Sequence, residues 1–244
     1  MFDLIAFDAD DTLWHNESLY ARAQEGLAEL LSDYIPAEEV EKRLFHTEMG
    51  NLELYGYGIK SFVLSMIETA IQVSGGQIEA DKILQIIGLA REMLQAQVVL
   101  LDYAQEAVTV LAEEHDLILI TKGDLLDQQR KLERSGLARY FAHVEIVSHK
   151  TRDVYQALLE KHRVAPERFL MVGNSLRSDI APVVSIGGTA VYVPHELTWT
   201  HETVVEETVE EHMYHTIENL RQLPALVTKL VEARFSSAMV GEHG

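Results

Sequence analysis

Residues Leu4-Ile5-Ala6-Phe7 form a short apolar run that ends at Asp8, with Asp10 two residues on and Thr12 and Leu13 closing the segment. Such a run reads as a buried strand. The next strand-like run is Leu117–Ile120, and the residues between follow a helical period. Leu19, Ala23 and Leu27 recur at helix spacing, as do Val40 and Leu44, then Phe62, Met66 and Ala70, then Ile83, Ile86, Ile87, Ala90 and Leu94. Breaks fall at Ile35-Pro36, at Gly56 and Gly58, and at Gly75-Gly76. This pattern constrains the fold strongly: the first strand is parted from the rest of its sheet by four or five helices spanning about 80 residues, far beyond an ordinary connection.

From Asp102 onward strand and helix alternate. Helical patterns over 104–114, 125–135, 152–162 and 178–185 separate strand patterns at 117–120, 144–147, 169–172 and 189–193. That alternation predicts an α/β fold with a doubly wound parallel sheet, helices on both faces and an all-helical cap domain. The expected division is a discontinuous core, 1–15 and 99–234, a cap, 16–98, and a flexible tail, 235–244. Both crossings between core and cap, near Trp14–Asn16 and Val98–Asp102, are candidate hinges. A helical insertion leaving the tip of the first strand sits above the edge where open α/β sheets collect ligands.

The 244 residues, 47% apolar and 24% charged, suit a globular protein with a sizeable core. A formal charge of -19 opposes binding to nucleic acid polymers or anionic membranes. It leaves a small anionic substrate open, because one bound cation reverses the local sign. With no cysteine, disulfides and thiolate metal sites are excluded. No secretory pattern and no run of membrane-spanning length is visible, so a cytoplasmic location is expected. Nothing in the sequence fixes the oligomeric state.

Each later strand delivers a useful residue at its tip. Thr121 and Lys122 follow the second, where a hydroxyl and backbone N–H groups suit an anionic oxygen. Lys150 follows the third and supplies a point charge for a phosphoryl group. Gly173, Asn174 and Ser175, with Ser178 and Asp179 one turn on, follow the fourth and offer hard oxygen ligands of the kind Mg²⁺ takes. A calcium-loop reading of the first segment fails because Leu13 stands where that loop needs glycine.

In this order and placement, Asp8, Asp10 and Thr12, then Thr121, Lys150, and Gly173-Asn174-Ser175 with Ser178-Asp179 resemble the haloacid dehalogenase-like hydrolase superfamily, over residues 2–234. The helical block is similar to that superfamily's first type of cap. The resemblance implies that Asp8 is a nucleophile forming an aspartyl-phosphate and that Asp10 is the acid/base. It implies that Thr121 and Lys150 clamp the phosphate. It also implies a Mg²⁺ held by Asp8, the Asp10 main-chain carbonyl, Asn174 and Asp179. Dehalogenase members lack an acid two residues after the nucleophile, so Asp10 points to a phosphatase acting on a small phosphorylated metabolite: a sugar phosphate, a nucleotide or a small acid phosphate. Asn174 departs from the usual Asp and carries no charge.

A phosphomutase on the same scaffold and a non-catalytic binding or regulatory protein are the alternatives. A receiver domain also phosphorylates an Asp, but it lacks a large cap and its acceptor does not end the first strand. Tyr55, Tyr57 and Lys60, around two glycines of the cap, are candidates for contact with the leaving group. His195 and Trp199 follow the last strand and are candidates to border the site. His195, His201, His212 and His215 lack transition-metal spacing, and Glu202–Glu211 reads as a solvated acidic face.

Overall fold

The computed structural model describes residues 1–197, 199 and 210–241. His201 and most of the acidic run expected at 202–211 lie outside the described residues. Six parallel strands stand in the order β3-β2-β1-β4-β5-β6. They are β1 (Leu4–Phe7), β2 (Asp116–Lys122), β3 (His143–Val147), β4 (Phe169–Gly173), β5 (Thr189–Tyr192) and β6 (His215–Thr216). β1 is central, so its C-terminal tip lies between the tips of β2 and β4.

The pleat of β1 divides its side chains between two apolar layers. Ile5 and Phe7 pack with Ala104, Val108 and Leu111 of α5 (Ala104–Leu111) and with Leu223 and Val227 of the C-terminal helix Leu223–Gly241. Leu4 and Ala6 pack on the other face with Tyr155, Leu158 and Leu159 of α7 (Arg152–His162) and with Val183 of α8 (Ala181–Ser185). α6 (Leu125–Ser135) buries Leu132 in the first of these layers. The sheet is therefore doubly wound.

The insertion is four helices: α1 (Glu17–Leu30), α2 (Ala37–Tyr55), α3 (Ile59–Val73) and α4 (Ala80–Gln95). Leu27, Leu44, Phe62, Met66 and Ile86 enclose an apolar cluster of their own. The chain enters and leaves this cap through two segments that pair with each other. Leu101 N–H donates to Leu13 C=O at 2.9 Å, and His15 N–H donates to Val99 C=O at 3.0 Å. Trp14, 1% exposed, anchors the crossing. Among the described residues, no helix is long and apolar enough to cross a membrane.

Two elements differ from the sequence pattern. The helix expected over 178–185 begins as a π-helical turn, Leu176–Ile180, before α8. Ser175 C=O accepts from both Asp179 N–H and Ile180 N–H, which widens the turn. The C-terminal helix runs to Gly241, into the segment expected as a tail.

Candidate active site

Immediately after β1 the backbone turns on Ala9 C=O, which accepts from Leu13 N–H at 2.8 Å. Asp11 completes the turn in the left-handed region, φ 58°, a conformation that Asp tolerates better than most residues. Its carboxylate accepts from Asn16 N–H at 2.9 Å and Glu17 N–H at 3.0 Å, holding the start of α1. Burial raises the Asp11 pKa to about 6, although the Asn16 hydrogen bond opposes it.

This turn leaves Asp8 at the strand tip. One carboxylate oxygen meets the Lys150 ammonium and the other accepts from the Thr12 hydroxyl at 3.1 Å. Burial lifts the Asp8 pKa to about 7, with Lys150 pulling down and Asp179 pushing up. Lys150, 4% exposed, also donates to Asp179 at 2.7 Å. Burial works against the lysine charge, but Asp179 and Asp8 outweigh it and hold the pKa above the ordinary lysine value.

Asp179 reaches this position through the π-helical turn. Its second oxygen accepts from Ser175 N–H at 3.0 Å. The carboxylate lies so close to the tip of β4 that a Cβ on Gly173 would stand 2.3 Å from it. Glycine is required there for close approach of side chain to backbone.

Asp10 points into a different set of partners. It accepts from Trp14 Nε1 at 2.7 Å, Gln128 Nε2 at 2.7 Å and Lys131 Nζ at 3.0 Å. Lys131 also donates to Asn16 Oδ1 at 2.7 Å and lies 3.6 Å from Asp127. Gln128 Nε2 donates in addition to Lys122 C=O at 2.9 Å. Sequence reasoning missed Gln128, Lys131 and Asn16. A signal existed: Asp127, Gln128 and Lys131 form a polar stripe at helix spacing, and all three are buried.

A cavity of about 150 Å³ lies between the strand tips and the cap. Asp8, Asp10, Thr121, Lys122, Lys150, Asn174 and Asp179 all line it, so the structure brings together the catalytic, phosphate-binding and metal candidates of the core. Thr121 is 1% exposed. Lys122 Nζ donates to Ser178 Oγ at 2.9 Å and lies 4.1 Å from the centroid of the Tyr57 ring.

The cap candidates separate. Tyr57 lines the cavity, with Trp199 at 6.2 Å ring to ring. Tyr55 is exposed, and neither Tyr55 nor Lys60 is among the lining residues. Lys60 is held instead by Asp124 of the core, Nζ to carboxylate at 3.1 Å. Gly58, φ 117°, allows that docking, since a Cβ there would meet Asp124 N at 2.9 Å. His195 is not in the lining either, and stands 3.7 Å from Asp11 beside the His15 ring. His212 pairs with Glu210, and His215 sits on β6. Among the described residues, no three His, Cys, Asp or Glu side chains cluster as metal ligands.

The donors at the β1 and β4 tips nevertheless fit Mg²⁺. Asp8, Asn174 and Asp179 offer hard oxygens only. Asp8 Oδ2 and Asn174 Oδ1 converge on the same Thr12 hydroxyl, at 3.1 and 3.2 Å, and its one proton serves only one of them. An acceptor is thus left over where a cation would be welcome. The Asp10 carboxylate is engaged elsewhere, so only its main-chain carbonyl is left for such a set.

Comparison with known proteins identifies the fold and the family. The chain is similar to a solved haloacid dehalogenase-like family hydrolase from Xanthomonas campestris, with 36% identity, a TM-score of 0.83, and 94% of this chain and 96% of that one covered. It shares its fold with the HAD-hydrolase YfnB from Bacillus subtilis, solved bound to magnesium, at 20% identity and TM-score 0.66, covering 93% and 99%. The same holds for a 2-haloacid dehalogenase from Pseudomonas syringae, at 21% identity and TM-score 0.63, covering 94% and 100%. No curated protein matches. The model of the haloacid dehalogenase-like hydrolase family matches residues 2–187, and the chain belongs to that family of hydrolases.

Proposed function

We propose that this hydrolase is a Mg²⁺-dependent phosphatase acting on a small phosphorylated metabolite through an aspartyl-phosphate. The observation that carries the reading is Asp10: a second carboxyl group in the cavity with Asp8, oriented by Trp14, Gln128 and Lys131. Phosphate ester cleavage needs a proton donor for the leaving oxygen, and a positioned carboxyl group supplies it.

Asp8 attacks phosphorus while the bond to the leaving oxygen breaks and Asp10 gives that oxygen a proton. Asp10 then takes a proton from the water that attacks phosphorus, and the bond to Asp8 breaks. Thr121, with Lys122 beside it, and Lys150 flank the place where charge spreads over the equatorial oxygens. Mg²⁺, held by Asp8, Asn174, Asp179 and the Asp10 carbonyl, supplies charge neutralisation for the phosphoryl group when bound. The magnesium bound to YfnB, which shares this fold, supports the choice of Mg²⁺ as the cation. Cap residues line the cavity beside the strand tips, an arrangement that favours small substrates and, on closing over them, would exclude bulk water.

The test is phosphate release across sugar phosphates, nucleotides and small acid phosphates, with and without Mg²⁺, using Asp8→Asn as control. Release that requires Mg²⁺ and disappears in the variant is expected. Release that survives Asp8→Asn contradicts the mechanism.

A further inference from the structure

The cavity has two chemically different walls. Its cations are Lys122, Lys131 and Lys150, all from the core and all already engaged, by Ser178, by Asp10 with Asn16, and by Asp8 with Asp179. The cap side contributes Glu17, Tyr20, Gln24 and Glu48, and among the described residues no Lys, Arg or His. Glu48 lies four residues before Leu52 on α2, and both line the cavity with Phe62. Among the described residues Glu48 has no hydrogen-bond or ion-pair partner. Glu48 and Tyr20 of the cap line the same cavity as Asp10, and Tyr20 feels the charges of Asp10, Glu17, Asp127 and Glu48.

A second acceptor is also unmatched. Gln128 lines the cavity at 3% exposure, and its Oε1 is buried without a hydrogen-bond partner. Its amide cannot be turned round, because Nε2 already serves two acceptors, Asp10 and Lys122 C=O. Buried acceptors of this kind are costly unless something donates to them.

Resting on the phosphatase reading, we propose that Glu48 and the cap wall around it select phosphomonoesters whose leaving group carries an ammonium, such as an amino-alcohol or amino-sugar phosphate. An ammonium beside Glu48 supplies both the hydrogen-bond donors and the positive charge that its carboxylate lacks. Burial holds the Glu48 pKa at about 7, and a cation beside it restores the charged form. A leaving group with a carboxylate or a second phosphate meets Glu48 and Glu17 with no free cation on the cap side. This narrows the substrate class: small acid phosphates fall outside it.

The test uses calorimetry on the full chain carrying Asp8→Asn, with Mg²⁺, so that ligands bind without turnover. The probes are aminoethyl phosphate, hydroxyethyl phosphate and carboxymethyl phosphate, followed by an amino-sugar phosphate against its hydroxyl counterpart. The ammonium ligand is expected to bind roughly tenfold tighter than its hydroxyl match, with the carboxylate weakest. Adding Glu48→Gln removes that preference, whereas Glu53→Gln, exposed on the same helix, keeps it. The amino-alcohol and amino-sugar arms then distinguish the size of the leaving group. Equal binding of ammonium and hydroxyl ligands, or a preference that survives Glu48→Gln, overturns the proposal. Phosphate release by the unmodified enzyme is read separately, and its failure on every ligand would sink the phosphatase reading rather than the binding preference.

Discussion

The two walls of the cavity differ in how complete they are. On the core wall every cation has its carboxylate or hydroxyl: Lys150 bridges Asp8 and Asp179, Lys131 holds Asp10, and Lys122 meets Ser178. On the cap wall Glu48 is partly buried, and among the described residues no cation of the cap lines the cavity with it. The contrast teaches a division of labour. Groups that perform the same chemistry on any substrate can be satisfied before it arrives. Groups that recognise one substrate are left for that substrate to satisfy, at some cost in stability.

The largest break in this contrast comes from the core. Lys150→Met strands two buried carboxylates, and losing one partner of such a network typically costs about 3–5 kcal/mol. A fall of that order in urea unfolding is expected, with phosphate release reduced at least roughly a hundredfold. A folded variant with near-normal activity would show that the pairing is dispensable.

Glycines give a paired test of intermediate size. Gly173→Ala forces a Cβ against Asp179 and is expected to lower stability by about 1–3 kcal/mol. Gly50→Ala, in α2 with open space around it, is expected to raise stability by about 0.5–1 kcal/mol. Thermal unfolding of both variants checks the signs. Equal effects would erase the distinction between a strained core tip and a permissive cap.

The smallest effect concerns Glu48 itself. Its pKa is raised by burial from 4.5 to about 7, so between those values the folded chain binds more protons than the unfolded one. Stability from this group is therefore complete below pH about 4.5 and is lost as pH rises through about 7. Glu48→Gln removes this component, and the ligand-free variant is expected to gain a few degrees in Tm at pH about 8. An unchanged pH profile would mean that Glu48 is solvated in the free protein.

Legibility of the fold in the sequence follows signal length. Four strands were readable because each carries an apolar run of four residues, β3 because Val144, Ile146 and Val147 flank a single Glu145, and α1–α4 because their stripes repeat over several turns. β6, only His215–Thr216, is too short to show any period. The π-helical turn is set by tertiary demand, since Asp179 must reach beneath Gly173. Asp8, Asp10, Thr121 and Lys150 were legible because each sits at a strand tip. Gln128 and Lys131 act from a helix, where polar residues are ordinary. Glu48 is one glutamate among several on α2, and only the folded cap sets it apart.

The central claim is that Asp8 carries the phosphoryl group between the two half-reactions. The most direct measurement is rapid acid quench of Asp10→Asn with Mg²⁺ and p-nitrophenyl phosphate, whose leaving group needs no proton donor, followed by mass spectrometry of the peptide containing Asp8. The account predicts a phosphoryl adduct on Asp8 that accumulates, because the base for the second step is gone. Nitrophenol and phosphate appearing together in the first turnover, with no adduct on Asp8, would contradict it.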